Sequence, residues 1–371
     1  MPNTYAIRDD VVWPSRLSQP SRPPAVVYLD MNHYINLAKV KAGKAPQGYA
    51  DLLEMCRTTK ADGRALFPLS STHSIEISNV GSYQQRENIA AVMEDLTDFS
   101  YLLGRPQIMR LEVGAALDAL GGSDPPAGGD IPLIGQSALW GFGMRGGLVI
   151  EGEEGEEAEQ RLRNRLGDQR FAQMMDHFSR EAERALLIGP DDEEKAELRQ
   201  GGEYRPEIPY QHQEQRSQQE RGQAAILDEN PELRAKQLRD VMSTAEFSRE
   251  LTEPLALELA ARDMTKADAL ELLGAGKDLS RARDFTDGMP SVRVAVSLKT
   301  HYHRNRRHTW TSNDIHDIDA LAIAMPYCDA VFADAAAWNA LNTSRELKLF
   351  NTFLPRRPHQ LTRWLANLPA E

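Results

Sequence analysis

The stretch Thr311 to Trp338, TSNDIHDIDALAIAMPYCDAVFADAAAW, constrains the fold more tightly than any other part of the chain. Thr311 to Asn313 offer N-cap oxygens, and Asp314 follows Thr311 at capping-box spacing. Ile315, Ile318, Ala322 and Met325 recur at helical spacing and predict an apolar face. Pro326 is expected to stop that helix and Asp329 to start a strand, with Ala330 to Ala333 short enough to be buried on both faces. The strand ends on Asp334. Acids thus stand at element ends, where open α/β sheets place their sites.

The same grammar occurs near the start. Ala25 to Leu29 (AVVYL) is a β-rich run ending on Asp30-Met31-Asn32-His33, and a helical pattern from Tyr34 closes at Gly43. Residues 49–60 predict a second amphipathic helix, and Ala65 to Leu69 (ALFPL) a second strand. Ser70-Ser71-Thr72 then cap a helix carrying Glu76, and helical spacing returns from 84 to 104. Residues 1–24, with Pro14, Pro20, Pro23 and Pro24, form an extended lead-in. Glycine and proline cluster at 121–130, and 151–157 and 188–222 are polar enough for mobile loops or solvated helix. Residues 157–187 and 231–275 predict helices, and no internal repeat is present. The fold class expected is α/β with a mostly parallel sheet.

Composition narrows the function classes. With 43 basic and 55 acidic side chains the net charge is −12, so a nucleic-acid partner requires a local basic patch. Such a patch exists at 299–308, KTHYHRNRRH, immediately before the Thr311 helix. Arg304, Arg306 and Arg307 are suited to phosphates, and Tyr302 and Trp310 to stacking on unpaired bases. The alternative is a solvated basic helix face. Cys56 and Cys328 are too few for a disulfide framework or a thiolate metal site, which points to a reducing compartment. The N-terminus lacks the apolar core of a signal peptide. Residues 131–150 carry Arg145 and several glycines and read as buried loop or strand, not as a membrane span. A soluble cytoplasmic protein with no membrane partner is expected.

Asp30, Glu76, Asp317 and Asp334 all fall at element ends or on capped helices. A strand-end acid is exposed while its backbone is fixed, which makes a rigid mount for a ligand. Carboxylates without His or Cys suit a hard cation such as Mg²⁺ or Mn²⁺. Such ions activate water and neutralise charge developing on a phosphodiester. Any one of these acids alone is equally explained as a cap or turn former. The ordered set is harder to explain that way. On the Thr311 helix, Asp314 and Asp317 share a face with Leu321 and Ala324, while Asp319 is rotated away.

Tyr28-Leu29-Asp30-Met31-Asn32 resembles the opening of PIN-like nucleases, whose first strand ends on a metal-binding Asp. Ser70 with Glu76 is similar to their Ser-headed second motif, and Asp317 to Ala324 with Asp334 resembles their third and fourth acids. The resemblance covers 25–104 and 309–352. It implies a three-layer α/β/α core, discontinuous over those two segments, with 105–308 a mainly helical insertion and 353–371 a C-terminal tail. It further implies an endoribonuclease using one or two Mg²⁺ or Mn²⁺ ions held by Asp30, Glu76, Asp317 and Asp334, with Asp319 a further metal contact. On the same basis Asn32 and Ser70 would orient the carboxylates. Spacing to Asp334 in the family ranks Asp317 first, then Asp319, then Asp314. RNA is the partner implied; a toxin or defence role with a protein antitoxin, and a homo-oligomer, are compatible with it. The length of the insertion departs from the family and leaves the target open, DNA included. The alternative reading is a degenerate PIN-like scaffold that binds RNA or protein.

Weaker signals are set aside. Gly141-x-Gly143-x-x-Gly146 matches a dinucleotide fingerprint, yet Gly147-Leu-Val-Ile after it is strand-like where a helix should open. His301, His303 and Cys328 lack a second ligand pair for zinc. Asp30-Met-Asn32 is near the Asp-x-Asp of haloacid-dehalogenase-like phosphatases but lacks the second Asp.

Overall fold

The computed structural model describes residues 11–122, 130–146, 155–202, 205, 207–274 and 279–369. The chain is mixed α/β, mostly helical, with small sheets that are mainly parallel. The central sheet is built on β1 (Ala25–Leu29), whose β-branched and aromatic residues are buried on both faces. It is followed by α1 (Met31–Ala38), α2 (Tyr49–Ala61) and the short β2 (Ala65–Leu66). Next come α3 (Ser71–Ser78), α4 (Tyr83–Thr97), β3 (Ser100–Leu102) and α5 (Arg105–Gly121). After β4 (Ile134–Gln136) the chain is helical through α6 (Asp168–Ile188), α7 (Glu207–Glu229) and α8 (Leu238–Glu246). A π-helical turn (Phe247–Leu251) leads into α9 (Thr252–Ala260). The chain returns to the sheet through α10 (Pro290–Arg304), α11 (Ser312–Tyr327) and β5 (Ala330–Phe332), and ends in α12 (Ala335–Thr343) and α13 (Pro358–Ala366).

β1 pairs in parallel with β2 on one side and with β5 on the other, in the registers Val26↔Leu66 and Leu29↔Phe332. Past β2, Leu69 bridges Tyr101 of β3 in parallel, and past β5, Ala330 bridges Phe353. The chain therefore winds outward to β2 and β3, then returns to the opposite side of β1. The gap between β1 and β5 is a topological switch point, the place where such sheets leave a crevice at their carboxyl ends.

Alternation along β1 divides the core. Val26 and Tyr28 pack with Val294 and Leu298 of α10 and Ile318 and Leu321 of α11. Val27 and Leu29 face the other way, onto Leu52, Met93 and Leu361. A third cluster, around Val113, Met242, Leu259 and Val296, welds the long helical region onto α5 and α10.

Several local expectations change. The helix expected over 84–104 stops at Thr97, because Asp98 and Phe99 adopt positive φ (48° and 55°) and release the chain into β3. Pro326 lies inside the last turn of α11, which runs one residue further, to Tyr327. Of the two alternatives for the polar stretch 188–222, the described residues take the helical one, capped at Asp191 with Glu194. Within 105–308, Ile108 of α5 and Val294 of α10 lie in the sheet's own core, and β4 pairs antiparallel with β3. Within 131–150, residues 131–136 are strand and a helical turn follows, with Phe142 and Met144 exposed, while 147–150 lie outside the described residues, as do 1–10 and 151–154. No helix among the described residues is long and apolar enough to cross a membrane.

Candidate functional site

Asp30 and Asp334 occupy the carboxyl ends of the two strands that flank the switch point. The Asp30 amide donates to the Phe332 carbonyl at 3.0 Å, which fixes the two strand ends side by side. Each acid also caps the next helix: Asp30 Oδ1 accepts from Met31 N at 2.8 Å, and Asp334 Oδ1 accepts from Ala337 N at 2.7 Å. The plain capping role is therefore real, and it occupies only part of each carboxylate. His33, which the sequence did not single out, reinforces the arrangement. Its ring stacks on Phe332 with centroids 3.5 Å apart, its Nδ1 lies 2.8 Å from the Tyr49 hydroxyl, and its Nε2 reaches the Ala333 carbonyl at 3.2 Å. Burial holds its pKa near 4, so it is a neutral strut between α1 and the end of β5.

Glu76 comes from α3, which packs against α11. Ser70 and His73 lock the start of α3: His73 Nδ1 accepts from Ser70 N at 2.9 Å, and His73 Nε2 lies 2.9 Å from the Leu29 carbonyl at the end of β1. Ser70 Oγ also sits 3.4 Å from the Tyr28 hydroxyl. Ser70 thus positions the helix that carries Glu76, and among the described residues its partners are Tyr28, Thr72 and His73. Asn32 does make one, donating from Nδ2 to Asp30 Oδ2 at 3.4 Å.

The electrostatics show that four carboxylates share one region. Burial, then the charge on Asp334, pushes the Asp30 pKa up to about 6. Burial, then Asp30 and Asp334, pushes Glu76 to about 8. Asp317 is raised well above the carboxylate range by burial and by Asp30, Asp334, Glu76 and Asp314, in that order. Asp30 is only 9% exposed, whereas Glu76, Asp317 and Asp334 are half-buried, so the cluster meets solvent on one side. Among the described residues, the leading influences on these three pKa values include no cationic side chain. Carboxylates crowded without a counter-charge are unfavourable unless protons or a cation neutralise them. An all-oxygen donor set of this kind fits a hard divalent ion. Among the described residues, no three His, Cys, Asp or Glu side chains already stand arranged to hold an ion.

Asp319 is elsewhere. Arg105 donates to its Oδ1 at 2.6 Å, and Arg216 reaches both oxygens, at 2.5 and 2.9 Å. Burial would raise its pKa, but Arg216 and Arg105 hold it below the usual carboxylate range. Its oxygens are committed to these arginines, and we remove it from the ligand set. Asp314 fulfils its capping role, with Oδ2 accepting from Thr311 N at 2.7 Å while Oδ1 lies 3.3 Å from His308 Nε2.

The basic run divides in two. Arg304, Arg306 and Arg307 are exposed. Tyr302 and Trp310 are 6% and 1% exposed and pack with His308 as an aromatic knot, so neither offers a face to a base. The Tyr302 phenol lies instead beside the acids: after burial, Asp317, Asp314 and Asp334 raise its pKa. Lys299 is only 2% exposed; its Nζ contacts Glu220 at 2.9 Å and Glu246 at 2.8 Å, and His303 Nε2 meets Glu220 at 2.8 Å. Arg105 also pairs with Glu246. This buried network joins α5, α7, α8 and α10, and nothing in the one-dimensional pattern distinguished Lys299 and His303 from the exposed arginines.

No known family, curated protein or solved structure matches the chain. The functional reading rests on its own geometry.

Proposed function

We propose that the chain is a metal-dependent nuclease with a PIN-like α/β/α core, hydrolysing RNA phosphodiesters at the crevice between β1 and β5. The observation that carries this reading is the convergence of Asp30, Glu76, Asp317 and Asp334 from four separate elements, with mutual repulsion among them. These four would hold one or two Mg²⁺ or Mn²⁺ ions, which lower the pKa of water and screen charge on phosphate. Asn32 would orient Asp30, and Ser70 with His73 would set the position of Glu76 through α3. In the reaction, water adds across a phosphorus–oxygen ester bond: its oxygen bonds to phosphorus, the ester bond breaks, and the departing oxygen takes up a proton. No covalent enzyme intermediate is required. The exposed Arg304, Arg306 and Arg307 would contact the phosphate backbone.

The test is cleavage of single-stranded RNA in Mn²⁺ by wild type and Asp30→Asn. Loss of cleavage in the variant is expected; equal rates would remove the proposed chemistry. A second reading is a degenerate core that binds RNA or a protein partner without cleaving it. Thermal stabilisation by Mn²⁺ separates the two, because a ligand-binding core gains stability by mass action and a scaffold of that kind does not.

A further inference from the structure

A cavity of about 750 Å³ opens between the helical region and the sheet-associated helices, away from the capped ends of the central strands. One wall is the segment from Arg234 to Arg239; the other combines the end of α10 with the end of α12 and Arg345. Arg234 and Arg239 are already balanced, the first by Asp228 at 2.6 Å and the second by Asp287 and Glu346, each at 2.8 Å. Arg304 and Arg345 are different. Both line the cavity and are exposed, and among the described residues neither has an ion-pair or side-chain hydrogen-bond partner. Two uncompensated guanidinium groups on one concave surface are unexpected in a chain of net charge −12.

The ordinary explanation is that arginines sit here to offset the carboxyl ends of α10 and α12. Each helix end carries only about half a negative charge. Two such ends amount to about one negative charge, which leaves about one of the two positive charges of Arg304 and Arg345 in surplus. Ser344 adds a hydroxyl to the same lining, while the Thr343 hydroxyl already donates to the Asn339 carbonyl at 2.7 Å. Planar guanidinium forks with a hydroxyl in a concave site match the oxygens of a phosphoryl group.

We propose that this cavity is a phosphoryl-binding subsite, with Arg304 and Arg345 as its anionic anchors. Its place suggests the source. Asp334 caps the start of α12 and Thr343 ends it, so the carboxylate cluster and the cavity lie at opposite ends of one nine-residue helix, about 13 Å long. A strand running along α12 would place one phosphate among the carboxylates and another, a few nucleotides away, in the cavity. The choice of a strand as source rests on the nuclease reading; the phosphoryl chemistry does not.

The test uses the full chain in EDTA, with Arg304→Glu/Arg345→Glu and the charge-retaining Arg304→Lys/Arg345→Lys. Inorganic phosphate is titrated calorimetrically, and a fluorescein-labelled single-stranded oligoribonucleotide is followed by anisotropy. Phosphate should bind wild type and the lysine variant, with affinity at least about tenfold weaker in the glutamate variant. A parallel loss of oligonucleotide affinity identifies a strand as the source. Loss of phosphate alone identifies a free phosphoryl ligand. Equal phosphate and oligonucleotide affinities in wild type and the glutamate variant, with melting temperatures unchanged, would overturn the proposal. Asp30→Asn should leave the affinity for inorganic phosphate at the cavity intact, so a failed cleavage mechanism and a failed cavity give different results.

Discussion

Asp30 and Asp334 leave the sheet at the carboxyl ends of adjacent parallel strands, and each caps the helix that follows it. The same side chains thus stabilise local structure and crowd negative charge into the switch-point crevice. Capping and site formation pull in opposite directions on stability.

That conflict can be separated by Asp334→Asn. Asparagine caps as well as aspartate but carries no charge. The metal-free variant should be more stable than wild type by on the order of 1 kcal/mol, from relieved repulsion. Wild type should gain about 2.7 kcal/mol at Mn²⁺ a hundredfold above its Kd, a gain the variant loses. Thermal melts with and without Mn²⁺ read both effects. A variant that is destabilised and still stabilised by the ion would assign Asp334 to capping only.

The two neighbouring acids of α11 should respond with opposite signs. Asp317→Asn removes one of the crowded carboxylates and should leave metal-free stability unchanged or raised while abolishing cleavage. Asp319→Asn strips the partner from the buried pair Arg105 and Arg216 and should cost about 3–5 kcal/mol. Urea denaturation of both variants decides the matter. Equal destabilisation would contradict the division of roles.

Glu112 gives a pH-dependence remote from the carboxylate cluster. It is fully buried, accepts from Ser291 N at 2.9 Å and from the Tyr327 hydroxyl at 2.6 Å, and burial pushes its pKa from 4.5 to about 7. The folded state holds this proton more tightly than the unfolded chain. Stability is therefore undiminished below pH 4.5 and declines as the pH rises toward 7, by about 3 kcal/mol in total. Glu112→Gln lacks the titrating group. The stability difference between Glu112→Gln and wild type should grow across that window and then level off, as followed by melting temperature. A difference that stays constant from pH 4.5 to 8 would place the titration elsewhere.

The local elements were readable wherever the residues beside each other in the chain decide the outcome. AVVYL is a strand, Asp30 and Asp334 follow strands, Thr311 and Asp314 form a capping box, and Ser70 heads the helix bearing Glu76. The early end of α4 was not readable, because Phe99 follows Asp98 into positive φ, a conformation that Asp tolerates and a bulky aromatic rarely adopts. The burial of Tyr302 and Lys299 was likewise hidden, since a helix end rich in cations looks the same whether water or Glu220 and Glu246 faces it.

On α11 the division is sharpest. The sequence by itself determined that Asp314 and Asp317 point one way and Asp319 another, because helical periodicity fixes relative directions along one element. Tertiary structure alone decided which direction is the crevice and which is packed. Arg105 arrives from α5 and Arg216 from α7, and their guanidinium groups neutralise Asp319. Asp317 is left facing Asp30, Glu76 and Asp334, with no such partner among the described residues. A carboxylate's role here is set by the charge brought against it, and that charge comes from elements far away in the chain.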